Sequence, residues 1–186
     1  PAQAPVITRA GDPSVQADTI YRLAVDPSEF PEETAIFLLD DGVVRFEADG
    51  QSHRTFRQVV QILRQEAVEG YQEFSFSYAP GHERMTVNWI RVVKPDGTVI
   101  SSEPTFRQES DVPAQTGDPV YSDRKVLRLS ISGVAPGTIV DWSYTTEDIK
   151  PFLAGDFVQT WGITTGLPVK RSRLIVDVPQ EIELRM

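Results

Sequence analysis

The residues best suited to acid–base or metal chemistry are two histidines, His53 and His82, in a chain of 186 residues that has no cysteine. Each histidine is predicted at or beside a turn between strands, where an exposed loop position is the expected environment. The absence of cysteine removes thiolate nucleophiles, thiolate metal ligands and disulfides. A zinc site needs about four ligands in tetrahedral array. Two histidines and carboxylates could supply them, but no ligand spacing in the sequence predicts such a site.

The motifs of the common hydrolases and nucleotide-binding proteins are also missing. A serine hydrolase needs an activated serine, a base and an orienting acid, yet no G-x-S-x-G occurs and neither histidine has a recognisable partner. A glycosidase needs two carboxylates across a cleft, but with 27 acidic residues some pair always fits. No glycine-rich phosphate loop, EF-hand or dinucleotide fingerprint is present. We therefore predict a protein that is not an enzyme and that binds no cofactor or metal.

The charge distribution argues against nucleic-acid binding. The net charge is −9, and residues 1–50 contribute −7 of it. A nucleic-acid-binding protein needs a positive surface to displace counterions from phosphates. The basic run 170–173 (KRSR) lies at the start of a predicted strand, and a solvated strand edge is the expected role. No apolar run approaches the ~20 residues of a membrane span, so we expect no membrane insertion by this segment.

The stretch from residue 74 to residue 100 organises the predicted fold. It reads as three strand segments of one antiparallel sheet, joined by turns at Pro80-Gly81 and Pro95-Asp96-Gly97. Within the second segment the apolar phase slips by one residue after Trp89. Such a slip exchanges the two faces of a strand, so the sequence predicts a β-bulge there.

The amino-terminal part of the chain mixes helix and strand signals. A short helix is predicted over residues 15–24, with Ser14 as its N-cap. The apolar run 35–39 fits a buried strand or a helix end, and Asp41-Gly42 is predicted to turn the chain. Asp49-Gly50 is a strong hairpin signal. Residues 55–64 carry both helical spacing and β-branched residues, and we interpret them as a strand.

Further strands are predicted around residues 127–131, 140–144, 157–163 and 174–178, whereas residues 101–124 read as a long loop. Strands without interleaved helices predict an all-β fold: a two-sheet antiparallel β-sandwich with a short amino-terminal helical extension. Trp89, Trp142 and Trp161 are in phase with apolar neighbours, which predicts core positions, buried for Trp89 and Trp142. The alternative is a carbohydrate-binding β-sandwich module whose tryptophans would share one solvent-facing concave surface.

Four segments in order resemble the domain of unknown function DUF3857: residues 78–98 (YAPGHERMTVNWIRVVKPDGT), 120–123 (VYSD), 134–140 (VAPGTIV) and 165–169 (TGLPV). The resemblance covers residues 35–179. It implies a β-sandwich amino-terminal to a transglutaminase-like, papain-related domain of an exported bacterial protein. The catalytic Cys-His-Asp would then lie in a downstream domain, and no catalytic residue can be assigned in this chain.

This resemblance sets the remaining expectations. The implied organisation is an amino-terminal extension (1–34), the sandwich (35–179) and the start of a linker (180–186). The implied role is a non-catalytic accessory domain, periplasmic or extracellular, that positions or regulates the downstream domain or binds its protein or cell-wall substrate. We expect its contact surface in the loop 104–124, at Tyr121, Ser122 and Asp123, because loops on rigid scaffolds often carry binding. The alternative is that these three residues merely start a strand, with Asp123 capping a turn.

Overall fold

Alternating apolar and polar residues build most of the strands of this chain. A computed structural model describes residues 2–112, 123–151, 159–162 and 166–182. The described residues form the following strands: β1 (Ala35–Phe46), β2 (Ser52–Ile62), β3 (Glu73–Tyr78), β4 (Glu83–Val93), β5 (Val99–Ser101), β6 (Phe106–Asp111), β7 (Lys125–Ser130), β8 (Ile139–Asp148) and β9 (Ser172–Asp177). Within these described ranges, helix is confined to α1 (Pro13–Gln16) and the 3-10 turns Thr19–Leu23, Pro27–Glu29, Gln65–Ala67 and Glu69–Tyr71. No helix of the described ranges is long and apolar enough to cross a membrane.

The strands form two sheets, which confirms the predicted sandwich. In the described residues the larger, six-stranded sheet has the order β5-β4-β8-β2-β1-β9, and the smaller, three-stranded sheet has the order β3-β7-β6. Neighbouring strands are antiparallel with one exception, because β9 lies parallel to β1. The predicted antiparallel pairing therefore does not hold for β1 and β9 at this edge.

Two apolar clusters stabilise the sandwich. The first fills the space between the sheets, where Phe74, Leu129 and Trp142 are buried together with alternate residues of β2, β4 and β8. The second lies on the outer face of the six-stranded sheet, where Val15 and Tyr21 of the amino-terminal extension cover apolar residues of β1, β2 and β8. The extension is thus a third, partial layer that buries part of the outer face.

The predicted β-bulge is present in β4. The register with β8 shifts between Val87 and Trp89. Val87 and Ile90 face the inter-sheet core, whereas Trp89 is carried to the outer face, where it is only partly buried. The bulge prediction is confirmed, and the prediction that Trp89 is a buried core residue is wrong because the bulge itself turns the ring outward.

The hairpin of β1 and β2 confirms the predicted strand over residues 55–64 but not the predicted turn at Asp41-Gly42. Residues 55–64 lie largely in β2, as interpreted, and the Asp49-Gly50 hairpin joins β1 to β2 with Gly50 at φ 87°. Asp41-Gly42, however, is not a turn, since β1 runs through it and Gly42 lies opposite Phe56. Glycine is required there for a packing reason: a Cβ on Gly42 would lie 2.7 Å from Cζ3 of Trp161.

The structure also corrects the predicted connections between strands, because strands that follow each other in the chain do not always belong to the same sheet. The Pro80-Gly81 turn joins β3 to β4, but these strands belong to different sheets, because β3 pairs with β7. The stretch 74–100 is therefore not the spine of one sheet. The predicted loop 101–124 contains β6, whose pattern is hidden because this edge strand has no buried residue. Of the predicted strand 157–163, residues 159–162 have no strand structure and the remainder lies outside the described residues.

The predicted amino-terminal helix is split into two pieces. The side chain of Asp12, not Ser14, caps α1 by accepting the Ser14 amide at 2.9 Å, and Asp18 accepts the Ile20 amide at 3.0 Å to begin the next turn. Aspartates that bond local amides compete with helix continuation. Two such caps in close succession allow only two short turns where one helix was expected.

We predict that Gly97→Ala destabilises the protein more than Gly137→Ala, although both glycines have nearly the same positive φ, 82° and 85°. Either alanine should cost about 1–2 kcal/mol for its left-handed backbone. A Cβ on Gly97 would also lie 2.9 Å from the Cα of Gln16 in α1, whereas nothing lies within 4 Å of one on Gly137. Chemical denaturation of both variants measures the difference. Equal losses would contradict the tight packing of α1 on this turn.

Candidate interaction site

A buried carboxylate, Asp141, lies on the outer face of the six-stranded sheet. It belongs to β8, which is flanked by β4 and β2, and its neighbours Val140 and Trp142 face the inter-sheet core. Strand alternation therefore points Asp141 the opposite way, toward the amino-terminal extension. Its side chain is 0% exposed. An ionised carboxylate at such a position must be paired and hydrogen-bonded to be tolerated.

Four side chains of the described residues donate hydrogen bonds to Asp141. Arg91 donates to Oδ2 from Nε at 2.9 Å and from Nη2 at 2.7 Å. Arg57 donates from Nε to Oδ1 at 3.1 Å and from Nη2 to Oδ2 at 2.9 Å. The indole of Trp89 donates to Oδ1 at 3.0 Å, and the hydroxyl of Tyr21 donates to Oδ2 at 2.5 Å. We call Asp141 and these four side chains the Asp141 cluster.

The elements that build the cluster explain its geometry. Arg91 lies directly opposite Asp141 in the β4–β8 ladder. The bulge in β4 brings Trp89 to the same outer face, opposite Ser143, from which its indole reaches back to the carboxylate. Tyr21 comes from the 3-10 turn Thr19–Leu23 of the extension. The cluster thus joins three strands of the sheet to the amino-terminal layer.

The electrostatics of the cluster favour the charged forms. Burial alone would raise the pKa of Asp141, but the guanidinium groups of Arg57 and Arg91 and the hydrogen bonds of the cluster hold that pKa below its usual value of 3.8. Burial and the adjacent Asp141 carboxylate raise the pKa of Tyr21 above its usual value. Arg57 also donates to Asp18 Oδ2 at 2.7 Å. The positive charges of Arg57 and Arg91 are therefore balanced by the negative charges of Asp141 and Asp18.

The Asp141 cluster is suited to fastening the structure rather than to proton transfer. The carboxylate accepts six hydrogen bonds from the described residues, which exceeds the roughly four lone-pair sites of its two oxygens. A general base needs a free lone pair directed at substrate. Asp141 instead anchors the extension through Tyr21 and, by way of Arg57, through Asp18.

A groove of about 600 Å³ runs beside the cluster, between the sheet and the amino-terminal segment. That segment follows the edge of β4: the Gln3 amide donates to the Met85 carbonyl at 3.1 Å, and the Val6 amide donates to the Asn88 carbonyl at 3.0 Å. The Trp89 ring lines the groove. Its orientation is fixed by the indole hydrogen bond to Asp141 and by the Arg91 guanidinium, 4.9 Å from its centroid.

The groove has an apolar rim. Val6 and Ile7 line it, and they are 70% and 55% exposed. Val6, Ile7 and the rigidly held Trp89 ring together form an apolar surface that another protein segment can cover. We therefore take the groove, with Trp89, Val6 and Ile7, as the candidate interaction site.

The residues that the sequence predicted as a contact surface lie elsewhere. Tyr121 and Ser122 are outside the described residues. Asp123 is exposed beside the Pro80-Gly81 turn: its carboxylate would lie 3.1 Å from a Cβ on Gly81. Asp123 does not line the groove. Binding at Tyr121, Ser122 and Asp123 stays a prediction.

The two histidines contact a carboxylate and a backbone carbonyl, respectively. His53 lies in β2 rather than in the predicted loop, with Nδ1 3.3 Å from Oε1 of Glu147. His82 is in the turn after β3, where Nδ1 contacts the Lys150 carbonyl at 3.1 Å. Within the described ranges, no group of three or more His, Asp or Glu side chains is arranged to hold a metal ion.

The tryptophans do not form the shared surface that a carbohydrate-binding module would show. Trp142 is buried between the sheets, as predicted, with its ring centroid 5.2 Å from that of Phe74. Trp161 stacks on Phe56 at 6.1 Å, over the inner side of β1, whereas Trp89 is on the outer face. Three rings in three environments do not support that alternative.

Sequence reasoning missed the Asp141 cluster. The available signal was a single charge inside an apolar strand run, namely Asp141 within IVDW and Arg91 within WIRVV. Charged residues are rarely buried unless they are paired. Opposite charges in two central strands therefore could have been proposed as a buried pair.

One protein of known structure has a similar fold. No functionally curated protein matches the sequence. The crystal structure of a protein from Parabacteroides distasonis ATCC 8503, described as a "putative protease", is similar to this chain with a TM-score of 0.65 and 17% sequence identity. The similarity covers 79% of this chain and 29% of that chain, so this chain spans less than a third of that protein. At this identity the likeness shows the fold alone.

The family assignment rests on the sequence. The family described as Domain of Unknown Function with solved-structure structure (DUF3857) matches residues 48–186. The match includes β2 to β9, and with them the bulge in β4 and Asp141. The boundaries 1–34, 35–179 and 180–186 stay predictions. This chain belongs to the DUF3857 family.

Proposed function

We propose that this chain is a non-catalytic accessory module of a longer, exported bacterial protein with a transglutaminase-like domain, and that it positions or regulates that domain or binds its substrate. The observation that carries the proposal is the Asp141 cluster. Its charged side chains hydrogen-bond to one another, and in this way they hold the groove in a preformed shape. A site that pre-organises its surface in this way lowers the cost of binding a partner.

The groove suits a contact within one polypeptide. Interfaces between domains of a single chain bury ~600–1,500 Å² and are rather polar. The groove combines an apolar rim at Val6 and Ile7 with polar groups at Asn88 and Thr86. The structural relative offers a precedent for a longer chain, because this fold makes up only 29% of it. We assign the groove to the catalytic region of the same polypeptide.

The test measures how point variants of this module bind the separately produced remainder of the parent protein. Val6→Asp and Ile7→Asp place a charge on exposed side chains of the groove and should leave this module folded. Each should weaken association of the separately produced module with the remainder of the parent by about tenfold or more, since burying one aliphatic side chain is worth about 1.5–3 kcal/mol. Isothermal titration measures the affinity, and deletion of residues 1–186 should lower the parent's activity or thermal stability.

The matched control is Phe106→Asp on the three-stranded sheet. Phe106 is 49% exposed and does not line the groove. The Phe106→Asp substitution should leave the affinity of the module for the remainder of the parent unchanged. Equal effects of all three substitutions would contradict the assigned surface, and an unaffected deletion variant would contradict the accessory role. Turnover of amide, ester or glycoside substrates by the isolated chain, abolished by His53→Ala or His82→Ala, would overturn the non-catalytic assignment.

A further inference from the structure

The strand β9 is the last strand at one edge of the six-stranded sheet in the part of the chain that the structure describes. It pairs with β1 on one side, and on its other side no strand of the described residues pairs with it. Ile175 is 41% exposed and Val176 is 37% exposed. Natural edge strands are usually protected by charged residues, proline, a bulge or a covering segment. β9 (SRLIVD) carries the charges of Arg173 and Asp177, both of which contact β1, and it has no proline and an unbroken register with β1.

The two charged residues of β9 are placed symmetrically about Ile175. Arg173 and Asp177 lie two residues before and two residues after Ile175. In an antiparallel pair of β9 strands centred on Ile175, Arg173 would lie opposite the partner's Asp177, and Leu174 would lie opposite the partner's Val176. A two-fold interface requires this relation, in which residue i contacts residue j and residue j contacts residue i.

The neighbouring strand β1 extends the same symmetry. The Arg173 guanidinium donates to Asp41 from Nε at 2.6 Å and from Nη2 at 2.9 Å. Oδ2 of Asp177 lies 3.9 Å from Nε of Arg45. Between these two charged pairs, Val43 of β1 lies opposite Ile175 of β9. Pairing with a second copy would therefore create rows of alternating charge, from Asp41 through Arg173 to the partner's Asp177 and the partner's Arg45.

The row between the two charged rows would be apolar. Val43 is 37% exposed and Ile175 is 41% exposed on the outer face. Around the two-fold axis they would form a continuous stripe with the partner's Ile175 and the partner's Val43. Directly opposed residues of antiparallel strands have Cβ atoms about 4.5–5.5 Å apart, within contact distance for such side chains.

We propose that β9 is a homodimerisation edge, at which two copies of this chain pair antiparallel about Ile175 and join their six-stranded sheets. The register is specific to that centre. A shift of one residue removes the contacts between Arg173 and the partner's Asp177, and parallel pairing would place Arg173 beside the partner's Arg173. This surface is separate from the groove at Trp89, so the dimer and the proposed interdomain contact are independent.

A cysteine cross-link tests the pairing directly, because the chain has no native cysteine. Ile175→Cys places the only thiol of each copy on the proposed axis. Mild oxidation should convert most of this variant to a covalent dimer that reducing agent separates. The control is Ile100→Cys on β5, at the opposite edge of the sheet, where the side chain is 42% exposed. Equal cross-linking of the two variants would overturn the proposal.

The second test measures molar mass over a range of concentrations. The unmodified chain should approach twice the mass of one chain by light scattering as the concentration rises, whereas Ile175→Lys should remain monomeric because it opposes two charges at the axis. Ile100→Lys should dimerise like the unmodified chain. A chain that stays monomeric throughout, or a dimer that survives Ile175→Lys, would overturn the proposal. Capture of a different protein by β9 of a monomeric chain would do the same.

Discussion

Replacing Asp141 with asparagine is expected to lower the free energy of unfolding by about 3–5 kcal/mol, because it removes one member of a buried charge cluster. Asparagine has nearly the same size, so the loss is electrostatic rather than steric. Its amide group would direct donors at the guanidinium groups of Arg57 and Arg91, which are themselves only donors. Urea denaturation followed by tryptophan fluorescence measures the loss.

The expected loss is large because of where the remaining charges lie. The Arg91 side chain is 10% exposed and the Arg57 side chain is 21% exposed. Without the carboxylate, both cations would keep most of their desolvation cost. Arg91 would lose the carboxylate that it binds, and Arg57 would keep its bond to Asp18. The Trp89 indole and the Tyr21 hydroxyl would also lose an acceptor. We therefore expect the amino-terminal layer to loosen along with the sheet.

The same substitution should change the dependence of stability on acid. The pKa of Asp141 is lower in the folded chain than its usual value of 3.8. A carboxylate with a depressed folded pKa stabilises the fold above its unfolded pKa, and this contribution is lost as the pH falls through the folded value. Unfolding free energies measured between about pH 2 and pH 6 should therefore fall less steeply toward acid in Asp141→Asn than in the unmodified protein.

The matched control is Asp41→Asn, which removes a carboxylate that also holds an arginine by two hydrogen bonds. Its partner Arg173 is 56% exposed, so water solvates that guanidinium when the carboxylate is lost. We expect a much smaller loss of stability than for Asp141→Asn. Losses of similar size, or an unchanged acid dependence in Asp141→Asn, would contradict the central role of the buried cluster.

Alternation of side chains was sufficient to predict most strands and one irregularity. In β4 the apolar phase shifts after Trp89, and the register with β8 shifts at the same place. Because a one-residue slip exchanges the faces of a strand, the phase of the sequence directly reports the bulge. Its consequence was missed: once the phase shifts, Trp89 no longer belongs to the buried set.

The pairing of the strands could not be predicted in the same way. The Pro80-Gly81 turn has ordinary hairpin chemistry, yet it carries the chain from one sheet to the other. Local turn residues specify a change of direction, whereas the choice of neighbour depends on contacts between distant segments. The parallel position of β9 next to β1 is a second example, since nothing within residues 172–177 encodes the direction of its neighbour.

The Asp141 cluster illustrates why the candidate site was not predicted. Tyr21, Arg57, Arg91 and Asp141 come from four separate parts of the chain, so no sequence spacing connects them. The strand pattern gives the face of each residue, but the bulge and the docking of the extension determine the distances. Charged residues in apolar strands were the available signal, and they indicate a buried pair without identifying its members.

Trp142→Ala is expected to destabilise the protein by about 3–5 kcal/mol, the usual cost of truncating a buried aromatic side chain. Trp142 is 8% exposed and lies between the two sheets. Its ring centroid is 5.2 Å from that of Phe74 and 6.3 Å from that of Tyr71, so the truncation leaves a cavity lined by rings from two elements. Chemical denaturation measures the loss.

The control for this substitution is Phe106→Ala, which truncates an aromatic residue of the three-stranded sheet that is 49% exposed. It should shift the midpoint of unfolding only slightly, because its ring gains little from burial. Trp142 lies on the inner face of β8, and Asp141 lies on the outer face. Because the sheet separates these two environments, we expect the two residues to contribute independently to the free energy of unfolding. A Trp142→Ala variant with an unchanged midpoint would mean that the inner face of β8 does not form the core of the sandwich.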